Sequence, residues 1–127
     1  MTADNIEDLR AILSHYGREP QKAKLCEELN ELIEAAKDDM HYETPQTRAH
    51  FIEELADVSI MVTQMILALG LDEQVKFYKT IEFKILRQLG RIKAEEVRNM
   101  KTVEDLMMIS YECYDYTEDC GVNIDEQ

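Results

Sequence analysis

The chain reads as an all-α protein, and three features of its 127 residues point that way. Leu, Ile, Met, Glu and Lys are abundant while Gly and Pro are few and Trp is absent, a mixture that favours helices. Apolar residues recur every three or four positions, and no run alternates apolar with polar as a half-buried strand does. Residues 58–69 carry no charge, so this helical stretch is expected to be buried on every side. The expected architecture is a four- to five-helix bundle in one domain over residues 1–127. A single helical hairpin leaves apolar surface uncovered, so a homodimer or homotetramer is expected to complete it.

The elements follow in order. A first helix spans about residues 5–16 and stops near Gly17. The second covers about 19–39, with Leu25, Leu29, Leu32, Ile33 and Ala36 at helical spacing. The stretch YETPQT then resets the chain: Thr44 suits an N-cap and Pro45 the first helical position. That third helix is expected to reach Leu69, with Gly70 as its stop. Asp72 caps a fourth, in which Val75, Tyr78, Ile81, Ile85, Leu89 and Ile92 form an apolar stripe and Gly90 bends or ends the helix. A fifth, about 103–119, precedes the tail GVNIDEQ.

Charge and cysteine usage narrow the function classes. A formal net charge of −13 argues against a nucleic-acid polymer as the main partner. It leaves a nucleotide open, because a divalent cation reverses the local field. Positive charge is concentrated in residues 76–101, with eight bases against three acids, whereas residues 102–127 hold eight acids and no base. Cys26, Cys113 and Cys120 lack metal-ligand spacing and fit a reduced compartment. The opening MTADNIEDLR resembles no signal peptide, and the uncharged run is shorter than the roughly 20 residues that span a bilayer. A cytoplasmic protein without a membrane anchor is expected.

Four acids stand out. On a helical wheel, Leu25, Leu29, Leu32 and Ala36 cluster, and Glu28 and Glu31 fall along one edge of that stripe. Glu54 and Asp57 repeat the spacing on the third helix, beside Val58 and Met61. Antiparallel packing of the two helices would gather all four carboxylates. So much negative charge must be protonated, paired with bases or bound to cations, and oxygen-rich sites suit hard divalent metals, Mg²⁺ first. A single ExxE or ExxD is commonplace on solvated helix faces; two such pairs, the second beside a fully apolar segment, favour a site.

The segments KLCEELNELIEAA and HFIEELADVSIMV together resemble the signature of the MazG-like, all-α nucleoside triphosphate pyrophosphatase superfamily. In that signature an ExxE is followed, after a dozen to nearly thirty residues, by ExxD. Glu28 and Glu31 match the first pair, Glu54 and Asp57 the second, and the resemblance covers about residues 15–95. It implies a Mg²⁺-dependent hydrolase that converts a nucleoside triphosphate into the monophosphate and pyrophosphate. It also implies that Glu28, Glu31, Glu54 and Asp57 hold the metal, with Glu28, or alternatively Glu31, accepting a proton from the attacking water. Phosphate contacts are expected from Lys84, Arg87 and Arg91, a basic stripe at i, i+3 and i+7 of the fourth helix, with Lys79 and Lys24 behind them. The same stripe also fits a solvated face that balances the protein's negative charge.

Other residues have plainer readings. Tyr111, Tyr114 and Tyr116 suit packing or exposure better than base stacking, and Met61 and Met65 suit the core. His15, His41 and His50 are scattered and form no triad with a Cys or Ser. A di-iron bundle needs Glu-x-x-His pairs, and Asp38-Asp-Met-His41 is the nearest approach. Two alternatives stay open: a phosphoribosyl-ATP pyrophosphohydrolase-like enzyme, and a non-catalytic helical module that binds a protein through its acidic C-terminal segment.

Overall fold

A computed structural model describes residues 1–100 and Met107. Its elements are α1 (Ala3–Tyr16), α2 (Arg18–Tyr42), α3 (Pro45–Leu67) and α4 (Leu71–Arg98), and the described residues include no strand. The expected all-α class is what the chain adopts. No described helix is long and apolar enough to cross a membrane. The fifth helix expected over 103–119, apart from Met107, lies outside the described residues, as do Cys113, Cys120 and Tyr111, Tyr114 and Tyr116. The chain divides into two compact units, Met1–Gln74 and Val75–Gln127.

Local chemistry sets the boundaries of the first unit. Thr2 caps α1 through a reciprocal box with Asn5. Gly17 separates α1 from α2 in one residue because it adopts φ 92°, a conformation that a side chain would strain. Pro20 is tolerated in the first turn of α2, where the missing N–H removes no helical bond. The helix then runs three residues past its expected end, to Tyr42, and closes on Glu43 at φ 50°. Thr44 caps α3 as expected: its hydroxyl accepts from the Thr47 N–H at 3.1 Å, and the Thr47 hydroxyl accepts from the Thr44 N–H at 3.0 Å. The far end of α3 falls at Leu67 rather than Leu69.

Antiparallel pairing of α2 with α3 forms the centre of this unit. Gln21 meets Gln64 at one end, and Asp39 meets Thr47 and Arg48 at the other. Residues 21, 28, 35 and 39 are buried on α2; 54, 58, 61 and 64 are buried on α3. Leu25 and Leu32 on α2, with Phe51 and Met65 on α3, are half-buried between them, so each helix shows close to a seven-residue repeat. α1 packs on one side of the hairpin through Leu9, which borders a small hollow with Ile60.

Two expectations about the core need correcting. The buried face of α2 is turned from the expected stripe: Glu28 sits in the seam itself, while Leu29 and Ile33 are exposed. The acid matches the helical repeat, and the two apolar residues each follow a seam position by one. Residues 58–69 are not buried on every side either, since Ser59, Ile60 and Val62 are exposed. One face of α3 meets α2, and part of the rest remains open.

In the second unit, α4 passes through Gly90 without a break, because a glycine inside a long helix weakens it without forbidding it. Its buried residue is Phe83, whereas Val75, Tyr78, Ile81, Ile85 and Ile92 of the expected stripe are exposed. The helix carries two apolar faces, and spacing alone does not rank them.

Candidate metal centre

The seven-residue repeat of the hairpin puts acids into its buried seam. Glu28 is two turns along α2 from Gln21, and Glu54 is one turn before Val58 on α3; their residues are only 7% and 9% exposed. Glu28, Glu54 and the exposed Asp57 each present a carboxylate oxygen, and the three oxygens lie within 4.8 Å of one another. Three of the four acids singled out from sequence therefore converge. Glu31 stands at their margin, exposed on the edge of the seam.

The electrostatics of the cluster could accommodate a cation. The Glu28 carboxylate raises the pKa of Glu31 above the ordinary glutamate range, and Glu54 adds to the shift. The Lys24 ammonium offsets part of the charge. It lies 2.9 Å from Glu28 Oε1 and 3.2 Å from Glu27 Oε2, and these bonds hold its pKa above the usual lysine range. His50 Nδ1 lies 3.7 Å from Glu54 Oε1, an ion pair only when the imidazole is protonated. The other oxygen, Glu54 Oε2, is buried and has no hydrogen-bond partner among the described residues. An unsatisfied buried acceptor costs about 1–3 kcal/mol, and more when it is charged. A hard divalent cation, which takes oxygen ligands at short range, fits both the orphaned oxygen and the all-carboxylate donor set.

Sequence reasoning did not single out several neighbours. Gln21 Nε2 donates to Gln64 Oε1 at 2.7 Å, and Gln64 is 1% exposed. Buried glutamines at repeat positions carry no charge pattern to betray them; the spacing of Gln21 from Glu28 was the available signal. A groove of about 460 Å³ opens between α1, α2 and α3, lined by residues that include Ile12, Tyr16, Gln21, Lys24, Ile60 and Gln64.

Lys84, Arg87 and Arg91, the expected phosphate contacts, are exposed on α4 in the other unit. The Arg87 guanidinium lies over the Phe83 ring, 5.7 Å from its centroid, and Arg91 donates to Gln88 at 3.4 Å. No protein-family model, curated protein or solved structure matches the chain.

Proposed function

We propose that the protein is a Mg²⁺-dependent nucleoside triphosphate pyrophosphohydrolase, in line with its resemblance to the MazG-like superfamily. One observation carries the reading most: two antiparallel helices bring three carboxylates together, and one of them, Glu54, has a buried oxygen without a donor among the described residues. Glu28, Glu54 and Asp57 would hold the cation, which when bound supplies charge neutralisation and polarisation of the phosphoryl group. Water attacks the α-phosphorus, the bond from that phosphorus to the oxygen bridging to the β-phosphorus breaks, and pyrophosphate departs with the bond's electrons. The water's proton passes to a carboxylate. Glu28, which belongs to the trio and pairs with Lys24, is assigned that role, with Glu31, exposed at the edge of the trio, as the alternative. Lys84, Arg87 and Arg91 are assigned to phosphate binding on their chemistry.

The reading includes a homo-oligomer. Leu29, Ile33, Ile52 and Leu55 are 40–58% exposed. Each follows a seam residue by one position, which in an antiparallel pair of right-handed helices places all four on one side. Glu31 and Asp57 each precede a seam residue and so fall on the opposite side. A second copy can therefore cover the apolar side and leave the carboxylates open.

The test is a product assay on a panel of NTPs and dNTPs with Mg²⁺, resolving pyrophosphate from orthophosphate. Monophosphate and pyrophosphate, lost in Glu54→Gln, are expected. Nucleoside diphosphate and orthophosphate would refute the bond assignment. Silence with Mg²⁺ bound would favour a phosphoribosyl-ATP-like substrate, and silence without Mg²⁺ binding would favour the interaction module.

A further inference from the structure

Among the described residues, one permanent cation is paired with the carboxylate trio. The Lys24 ammonium lies 2.9 Å from Glu28 Oε1 and 3.2 Å from Glu27 Oε2. Glu54 has only His50 as an ion-pair partner, and only while that imidazole is protonated; Asp57 has none among the described residues. The field of the ammonium reaches further than its own pair. Glu28 and Glu54 push the Glu31 pKa up, and Lys24 opposes them.

Helix propensity does not account for the pair. Ion pairs four residues apart stabilise a helix better with the acid on the N-terminal side, and Lys24–Glu28 runs the other way. The distinguishing feature is the acid, because Glu28 is only 7% exposed and has little water to screen its charge. The base is different: the Lys24 side chain is 49% exposed. Lys24 precedes the seam residue Leu25 by one position, as Glu31 precedes Leu32 and Asp57 precedes Val58, so it emerges on the side of the hairpin where those acids stand. A compact charge on a flexible four-carbon stem can leave Glu28 without moving either helix. The exposed Glu27 gives it a second station outside the trio.

Two arrangements follow from charge. Without a divalent ion, the ammonium offsets Glu28 and limits repulsion among the carboxylates. A divalent ion on the same carboxylate places a second positive centre close to the ammonium, and like charges at short range repel. The two therefore compete for Glu28. A monovalent ion from solvent offers no more charge than the ammonium it would replace, and the ammonium has the advantage of its tether.

We propose that Lys24 is an exchangeable counter-cation, which holds Glu28 in the metal-free chain, yields it to a divalent cation and keeps monovalent cations out. The inference rests on the reading of the carboxylates as a cation centre and adds how that centre is filled. Lys24 is on this account a positioning residue that sets the Mg²⁺ range over which the centre loads.

The experiment is isothermal titration of Mg²⁺ into the metal-free chain at constant ionic strength. Lys24→Met keeps the apolar stem and removes the charge. Its Kd for Mg²⁺ should fall roughly fivefold or more, the lower end of ordinary coupling between two sites, while its metal-free Tm drops. Lys24→Arg should return both towards the wild type. Exchanging tetramethylammonium for K⁺ should weaken Mg²⁺ binding more in Lys24→Met than in the wild type, and equal weakening would overturn the exclusion of monovalent ions. A purely structural lysine predicts a lower Tm with Mg²⁺ binding unchanged or weaker, and that result overturns the exchange. Where Lys24→Met fails to fold, the wild type decides: Mg²⁺ should move the Lys24 Cε resonance in step with binding, and a resonance that stays in place overturns the exchange. Unchanged Mg²⁺ affinity in Lys24→Met beside intact pyrophosphate release overturns the role of Lys24 alone. Tighter Mg²⁺ binding in Lys24→Met, with no nucleotide hydrolysed by the wild type, supports the exchange and overturns the reaction.

Discussion

Replacing Glu54 with Gln tests the carboxylate centre at its most exacting point. The substitution keeps the side chain's shape, so what changes is one buried charge and one hydrogen-bonding group. In the metal-free wild type, Glu54 Oε2 is buried without a donor among the described residues, and one Glu54 carboxylate oxygen lies within 4.8 Å of oxygens of Glu28 and Asp57. Glutamine removes the repulsion and brings an N–H that can donate to Glu28 or Asp57. A buried group left unsatisfied costs about 1–3 kcal/mol, so Glu54→Gln should stabilise the metal-free fold by about 2 kcal/mol. For a chain of this size that is a rise of roughly 6–10 °C in Tm.

Magnesium should reverse the order. A ligand that binds only the folded state at a hundred times its Kd adds about 2.7 kcal/mol, and the wild type should gain it while Glu54→Gln gains little. The assay is thermal melting at pH 8. One set of melts is run with a chelator and one across a Mg²⁺ series. A variant that melts below the wild type in chelator would mean that Oε2 is satisfied and the carboxylate is structural. Equal Mg²⁺ shifts in both proteins would mean that the cation binds elsewhere.

Three further outcomes are expected. Glu31 has a raised folded-state pKa, so its protonated form favours the fold: that contribution is complete below the ordinary value near 4.5 and is lost as pH rises through the higher folded value. Glu31→Gln should therefore be the more stable protein at pH 7 without metal, and the urea midpoint followed against pH should lose part of its acid-side slope; an unchanged slope would show that Glu31 is uncoupled from Glu28. Single Gln21→Leu or Gln64→Leu changes should each cost about 1–3 kcal/mol by orphaning a buried amide. The double change should cost less than their sum, and a double-mutant cycle on urea unfolding with no coupling would deny the 2.7 Å bond. Arg87→Ala should lose about 0.5–1 kcal/mol through its contact with Phe83 and raise KM for both nucleoside triphosphate and tripolyphosphate. A stability loss with KM unchanged would confine Arg87 to packing.

What the sequence disclosed follows from what local chemistry fixes. Helix class, the break at Gly17 and the Thr44–Pro45 start of α3 are decided by residues within a turn of each feature, and they were legible. The end of α2 was not, because it closes on Glu43 in a left-handed conformation where sequence rules look for Gly or Asn. The convergence of Glu28, Glu54 and Asp57 could be foreseen because two i, i+3 pairs on antiparallel helices have few other arrangements. The rotation of α2 could not, because hydrophobicity points to Leu29 and Ile33 whereas the packing buries Gln21, Glu28 and Asp39. A polar residue in a seam pairs with one particular group across it, and that group is distant in sequence.

That polar seam also bears on how the site is held. The layers at its two ends are satisfied: Gln21 bonds Gln64, and Asp39, 7% exposed, accepts from Thr47 at 3.2 Å and pairs with Arg48 at 2.9 Å. In the central layer Glu28 pairs with Lys24, but Glu54 Oε2 has no hydrogen-bond partner among the described residues. Sliding α3 past α2 by one turn would orphan a buried amide at one end and a buried carboxylate at the other, so both ends oppose any other register. The centre contributes repulsion, which alone would spread the helices apart. The satisfied ends therefore keep Glu28 opposite Glu54 and Asp57 despite that repulsion, and the strain stays where a cation can relieve it. An apolar pair in place of the Gln21–Gln64 layer need not weaken the fold, but it removes one of the two register constraints. Weaker Mg²⁺ binding in a stable Gln21→Leu, Gln64→Leu protein would be the signature of that loss, and undiminished binding would show that the hairpin holds its register without the amides.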